Sequence, residues 1–402
     1  MPHVAPRVRT AGLQSSAGLL AAGTSVANAL GYVLTVVGAR RLGPDEFGAF
    51  GALLALIIVG NVAALAAQAT TARTVATGRP AAPAIRSGLV VAAVTTLALC
   101  LASPVVSSVL QLSSPVPAIA AAVAIGAFAA AAPPLGVVQG RERFALLAAL
   151  VTIQATMRVG AGLVGMAVSP TATGAMIGVA AGLVLATGVA WAATRPTVAG
   201  PHGYAVRATL ASAAMLLGFV VLTNVDVMLA RHVLSTDASG LYAAGSIFTK
   251  IAFWLPQFVP MLAFPALADP ARRRGAVTMG VLTVAGCGAV LTAGTWALSG
   301  TAVRIVAGAD YLDLAAQVPG FTALGALYAL AHLLVYAHLA RGDRWTTAVL
   351  WALLAGYVVV VETTAHDLMG VLVPSLVTAG LVVCWGLARE HTTRPGRNDH
   401  VH

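Results

Sequence analysis

The chain has 402 residues, 59% of them hydrophobic and 9% charged, with a formal net charge of +10 and a mean hydropathy of +0.89. Soluble domains carry roughly 25% charged residues, so the composition excludes a water-soluble globular protein and points to an all-α polytopic membrane protein. An apolar stretch of roughly 20 residues crosses a bilayer, and twelve such stretches leave no room for a separate soluble domain.

The expected spans are residues 13–38, 47–68, 87–110, 116–138, 144–167, 172–194, 207–230, 240–265, 276–299, 316–340, 345–361 and 367–388. The basic N-terminus MPHVAPRVRT precedes an apolar segment with no evident cleavage site, so that segment reads as the first span rather than a signal peptide. Span 1 places Ser25, Asn28, Tyr32 and Thr35 in one stripe, and span 2 carries Asn61 and Gln68. Gln154 and Arg158 share a face of span 5, by their four-residue spacing. Gly174, Gly178 and Gly182 line one face of span 6, which predicts close approach of a neighbouring helix.

The polar stretch 193–207 reads as a hinge between halves. Span 7 carries Asp226, and span 8 carries Ser246, Lys250, Trp254 and Gln257 on one face. Pro256, Pro260 and Pro265 also fall in span 8, where each removes a backbone donor and favours a bend, read either as a gate or as packing. Tyr328 and His332 share a face of span 10. Cys100, Cys287 and Cys384 lie far apart in apolar segments and read as small core residues. A charge at a helix centre costs about 2.5–3.5 kcal/mol, so Arg158, Asp226 and Lys250 must face water or one another. Converging stripes describe either a hydrated central cavity or polar contacts between helices. Asp226 reads as an ion-pair partner of Lys250 or as a proton-coupling carboxylate, and His332 joins it as a weaker coupling candidate.

Two echoes indicate an internal repeat. Residues 31–51, GYVLTVVGARRLGPDEFGAFG, match 224–245, NVDVMLARHVLSTDASGLYAAG, through Ala39-Arg40 with Ala230-Arg231, and Gly48-Ala49-Phe50 with Gly240-Leu241-Tyr242. Arg141-Glu142-Arg143-Phe144 is mirrored by Gly342-Asp343-Arg344-Trp345. Both hairpins join apolar helices, so the repeated unit is a membrane lobe. The expected organisation is an N-terminal six-helix lobe over 1–195, a linker over 196–206, a C-terminal lobe over 207–390 and a tail over 391–402.

Arginine asymmetry orients the chain. With the N-terminus inside, seventeen arginines fall on the cytoplasmic side and only Arg40, Arg41, Arg231 and Arg304 outside, which predicts a multi-pass protein of the cytoplasmic membrane with both termini cytoplasmic. The positive charge is then topological and suits anionic membrane lipids rather than nucleic acid. Arg40 and Arg231, at outer helix ends, read as capping or headgroup residues. There is no GxxxxGK[ST] phosphate loop and no HExxH metal pair, so no enzymatic activity, metal or cofactor is expected.

The hairpin stretches ARRLGPDEFGAFGALLALI and NVDVMLARHVLSTDASGLYAAGSIFTKIAFWLP, with VVQGRERF, FPALADPARRR and AHLARGDRW between helices, resemble polysaccharide-biosynthesis flippases. These are the O-antigen-type branch of the multidrug/oligosaccharidyl-lipid/polysaccharide exporter superfamily. The resemblance implies about twelve transmembrane helices in two pseudo-symmetric six-helix lobes around a central cavity. It also implies alternating access and export of an undecaprenyl-diphosphate-linked glycan, in company with a glycan polymerase or glycosyltransferases. Cationic cavity residues of that family map by lobe position onto Arg158 and Lys250, with Gln154, Asn28, Trp254 and Gln257 as further substrate contacts. Two other readings stand beside it: a drug/cation antiporter of the same fold, and a membrane glycan transferase or ligase using Asp310 and Asp313.

Overall fold

The computed structural model describes residues 8–196, 214–257, 273–339 and 344–392, which form helices and turns with no strand among them. The first unit contains α1 (Val8–Ala76), α2 (Ala82–Leu101), α3 (Ser103–Val109), α4 (Val116–Gly140), α5 (Phe144–Val168) and α6 (Ala172–Thr194). The second contains α7 (Ala214–Leu222), α8 (Val225–Val233), α9 (Thr236–Trp254) and a 3-10 turn (Leu255–Gln257). It continues with α10 (Arg273–Ala297), α11 (Ser299–Val306), a second 3-10 turn (Ala309–Leu314), α12 (Val318–Leu339), α13 (Arg344–Thr364) and α14 (Leu368–Thr392). Two compact bodies, Met1–Ala214 and Met215–His402, result.

Each of the twelve expected spans lies on helix through most of its described length. Among the described residues nine helices are long and apolar enough to cross a membrane, and the bent pair α7–α8 makes a tenth. The protein is a multi-pass membrane protein, and its apolar helices satisfy their backbone groups within each span, as a bilayer requires. Long α1 holds the first two spans, separated where Gly43 takes φ 72° and ψ 166°. The reason is local. Glycine enters positive φ cheaply, Pro44 forces its predecessor out of the helical region, and proline with its fixed φ then starts the next helix.

Asp45 and Glu46 follow in that first turn, where the helix N-terminus favours negative charge. Glu46 also reaches α6: its carboxylate accepts the Ala172 N–H at 2.5 Å, while Thr171 Oγ1 accepts from Gly174 N at 3.1 Å. Two of the orphan donors at the start of α6 are thus satisfied, one of them from another helix.

The second hairpin repeats the first. Its turn is only Leu234-Ser235, with Leu234 extended at ψ 165° and Ser235 capping α9. The expected span began four residues later, at Gly240. The earlier start follows from the Ser235 cap and from Asp237 in the first turn. Phe50 and Tyr242, the matched aromatics, are both fully buried. Arg231 departs from its expected headgroup role: it is buried, and Nη1 donates to Ser239 Oγ at 3.0 Å and the Thr236 carbonyl at 3.4 Å, tying the two sides of the turn together. Cys384 also departs from the core reading, being exposed on α14.

Within each unit the most buried membrane helix is the counterpart of the other, α4 in the first and α12 in the second. Against α4 pack α1, α2 and α6, and against α12 pack α9, α10 and α14. Small residues make α4 approachable: Ala129 and Ala132 share a cluster with Ala64, Ala67 and Ala92. Gly136 meets the Gln68 carbonyl at 2.6 Å from where a Cβ would stand. Since lipid supplies no hydrophobic drive between helices, such close packing is what holds them.

Candidate functional site

In the first unit the site is the seam between α1 and α5. The two helices run side by side in the same direction: Gly23 faces Ala148, Gly31 faces Arg158, Leu34 faces Gly162 and Gly38 faces Met166. Behind α5 runs α6, whose glycine stripe does what its spacing predicts. Gly174 lies against the carbonyls of Gly165 and Ser169, Gly178 against that of Ala161, and Gly182 against that of Met157 and the Arg158 Cα. The α5 backbone is therefore fixed from behind, and the Arg158 side chain projects toward α1 and α4.

Arg158 stands ten residues before the end of α5, roughly 15 Å into the span at 1.5 Å per residue. Its guanidinium lies 5.9 Å from the centroid of the Phe128 ring on α4. Nη2 would sit 3.3 Å from a Cβ at Gly31. Its Nε is buried without a hydrogen-bond partner, and among the described residues no acidic side chain pairs with it. One turn earlier Gln154 is half-buried, and so is Asn28, one turn before Gly31 on α1. Polar groups left this way in an apolar span must meet water or a ligand. The structure thus sets Arg158 against α1, with Gln154 one turn before it on α5 and Asn28 one turn before Gly31 on α1.

In the second unit Asp226 opens α8, just past the break between α7 and α8, where the chain bends by 43°. Polar side chains serve the break: Asn224 Nδ2 donates to the Val220 carbonyl at 2.9 Å, and the Tyr328 hydroxyl donates to the Leu222 carbonyl at 3.0 Å. Asp226 is 2% exposed. Its Oδ2 accepts from the Tyr242 hydroxyl at 3.2 Å, and its Oδ1 is buried with no hydrogen-bond partner. The Tyr242 hydroxyl also lies 3.5 Å from Ser375 Oγ, which is 2.9 Å from the Tyr357 hydroxyl. Lys250, on α9, acts on Asp226 through its charge, whereas the direct hydrogen bond comes from Tyr242. A carboxylate, two tyrosines and a serine thus form one buried network across α8, α9, α13 and α14.

The remaining expected residues divide. His332 joins an aromatic cluster, 5.1 Å from the Phe219 ring and 5.5 Å from the Phe253 ring. Trp254, partly exposed, stacks edge-on to Phe253 at 5.6 Å. The side chain of Gln257, with Pro260 and Pro265, lies outside the described residues. Much of the expected polar stripe in the second unit is met by protein partners: Ser246 bonds the Ala243 carbonyl at 2.7 Å, and Tyr328 bonds the broken helix. Sequence reasoning missed Phe128, Tyr357, Ser375 and Glu46. Tyr242 was visible only as the match of Phe50, and Tyr357 and Ser375 were visible only as polar residues in apolar spans.

No family model matches the sequence, and no curated relative does. Solved structures do match in fold. The lipid II flippase MurJ, in an inward closed conformation, superposes with a TM-score of 0.74 at 13% identity, over 93% of this chain and 87% of that one. The chain has the fold of MATE and MurJ transporters. An inward-facing multidrug resistance MATE transporter of the MOP superfamily gives 0.70 at 12% identity, over 90% of this chain and 96% of that one. A eukaryotic MATE transporter gives 0.65 at 14% identity, over 96% of each.

Proposed function

We propose that the protein is a flippase of the polysaccharide-biosynthesis type, which moves lipid-linked oligosaccharide or polysaccharide precursors across the cytoplasmic membrane by alternating access. The observation that carries this reading is Arg158: a mid-span guanidinium with a buried, unpartnered Nε and no acidic partner among the described residues, with the half-buried Gln154 one turn earlier on the same helix. Such a group costs free energy in a membrane unless an anion or water meets it, and a diphosphate offers the paired oxygens that a guanidinium fork fits. Lys250 supplies a second cation in the other unit. A protein named as a lipid II flippase uses this fold, which supports a lipid-linked substrate.

Asp226 fits the coupling role in this cycle, as a buried carboxylate with one oxygen left unpartnered beside the α7–α8 break. That feature equally serves the drug/cation antiporter reading, and MATE transporters share the fold. Arg158 separates the two, because an unpaired cation attracts anionic cargo and repels cationic drugs. The deciding experiment is Arg158→Gln in a strain that depends on this protein for its surface glycan. Outer-leaflet lipid-linked glycan should be lost while the protein remains folded and inserted. Normal glycan, or altered resistance to cationic drugs alone, would remove Arg158 from a glycan-lipid site.

A further inference from the structure

Arg158 alone does not define where its charge points, since an arginine side chain has several rotatable bonds and loses entropy when held. Two residues on neighbouring helices bound it. On α4, the Phe128 ring has the guanidinium carbon 5.9 Å from its centroid, within the roughly 6 Å reach of a cation–π contact. On α1, Gly31 has no side chain, and an added methyl group would stand 3.3 Å from Nη2, closer than ordinary contact. The Gly31 carbonyl receives the Thr35 hydroxyl at 3.0 Å. The guanidinium is thus guided by a ring and a slot, neither of which takes up its N–H donors.

Resting on the proposed function, we infer that Phe128 and Gly31 are positioning residues that hold the Arg158 guanidinium in one orientation with its donors available to the diphosphate of the lipid-linked substrate. Phe128 acts through its π face and Gly31 through the space it leaves. Both act through Arg158, so their effects should vanish once its charge is gone. Simple packing residues would not behave this way, and that difference makes the inference testable.

The test is a double-mutant cycle on the full-length protein in nanodiscs, with undecaprenyl diphosphate as the probe and thermal melting as a check on folding. Phe128→Leu keeps an apolar side chain but removes the ring, and should weaken binding about 3- to 10-fold, the range of a cation–π contact. Phe128→Tyr, which keeps the ring, should bind as the parent does. Gly31→Val should weaken binding as well. In an Arg158→Gln background neither Phe128→Leu nor Gly31→Val should weaken it further. If Arg158→Gln weakens binding but Phe128→Leu and Gly31→Val bind as the parent does, or if their losses persist in the Arg158→Gln background, the positioning role is overturned and the functional reading stands. Unchanged binding by Arg158→Gln itself would overturn both.

Discussion

The glycine seam behind Arg158 makes opposite predictions for two alanine substitutions on the same helix. At Gly178 an added Cβ overlaps the Ala161 carbonyl oxygen and stands 2.8 Å from its carbon, so α5 and α6 have to move apart along backbone that cannot rotate away. Overpacking of this kind costs about 1–3 kcal/mol. At Gly188, ten residues further along α6, nothing lies within 4 Å, and alanine gains about 0.8–1 kcal/mol of helix propensity over glycine. Gly160 on α5 is equally open and serves as a second control. The expected gap between Gly178→Ala and Gly188→Ala is therefore about 2–4 kcal/mol. Unfolding of the purified protein in mixed micelles, titrated with sodium dodecyl sulfate, measures it. Transport should fall with stability in Gly178→Ala, because the same contact fixes the backbone that carries Arg158. Equal effects at the two sites, or a stabilised Gly178→Ala, would refute the claim that the stripe sets the α5–α6 approach.

Lys250→Gln should reduce export at least about tenfold, or 1.4 kcal/mol, and adding Asp226→Asn should not restore it; recovery in the double variant would leave Lys250 as no more than a counter-charge for Asp226. Glu46→Ala removes the α1 bond to the first turn of α6 and should cost about 0.5–2 kcal/mol, as loss of a helix cap does, measured by the same unfolding titration; an unchanged midpoint would make that contact idle. Cysteines introduced near Ser113 and Ser169 should react with an impermeant reagent applied outside, and one near Arg273 should not; the reverse pattern would invert the topology and the direction of transport.

The sequence by itself determined what depends on composition and on spacing along one helix. An apolar chain with 9% charged residues has to satisfy its backbone internally, so twelve helical spans were legible without a structure. The four-residue glycine stripe of α6 was legible too, because three small residues on one helical face mean close approach whatever helix arrives. The repeated hairpin was readable from the match of Ala39-Arg40 with Ala230-Arg231 and of Gly48-Ala49-Phe50 with Gly240-Leu241-Tyr242, because such an echo lies along the chain itself. What only the tertiary structure decided is which helix stands opposite which. Periodicity says that Arg158 and Gln154 share a face, but not that Gly31 and Phe128, 127 and 30 residues away respectively, complete the surroundings. It says that Tyr328 lies on a polar stripe, but not that its hydroxyl holds the carbonyl of a broken helix. It marks Arg231 as an outer helix end, yet the Leu234-Ser235 turn folds the first turn of α9 back over that side chain and buries it. These outcomes depend on contacts between segments far apart in the chain, whose energies are set by shape and by satisfaction of buried polar groups rather than by any pattern within a single span.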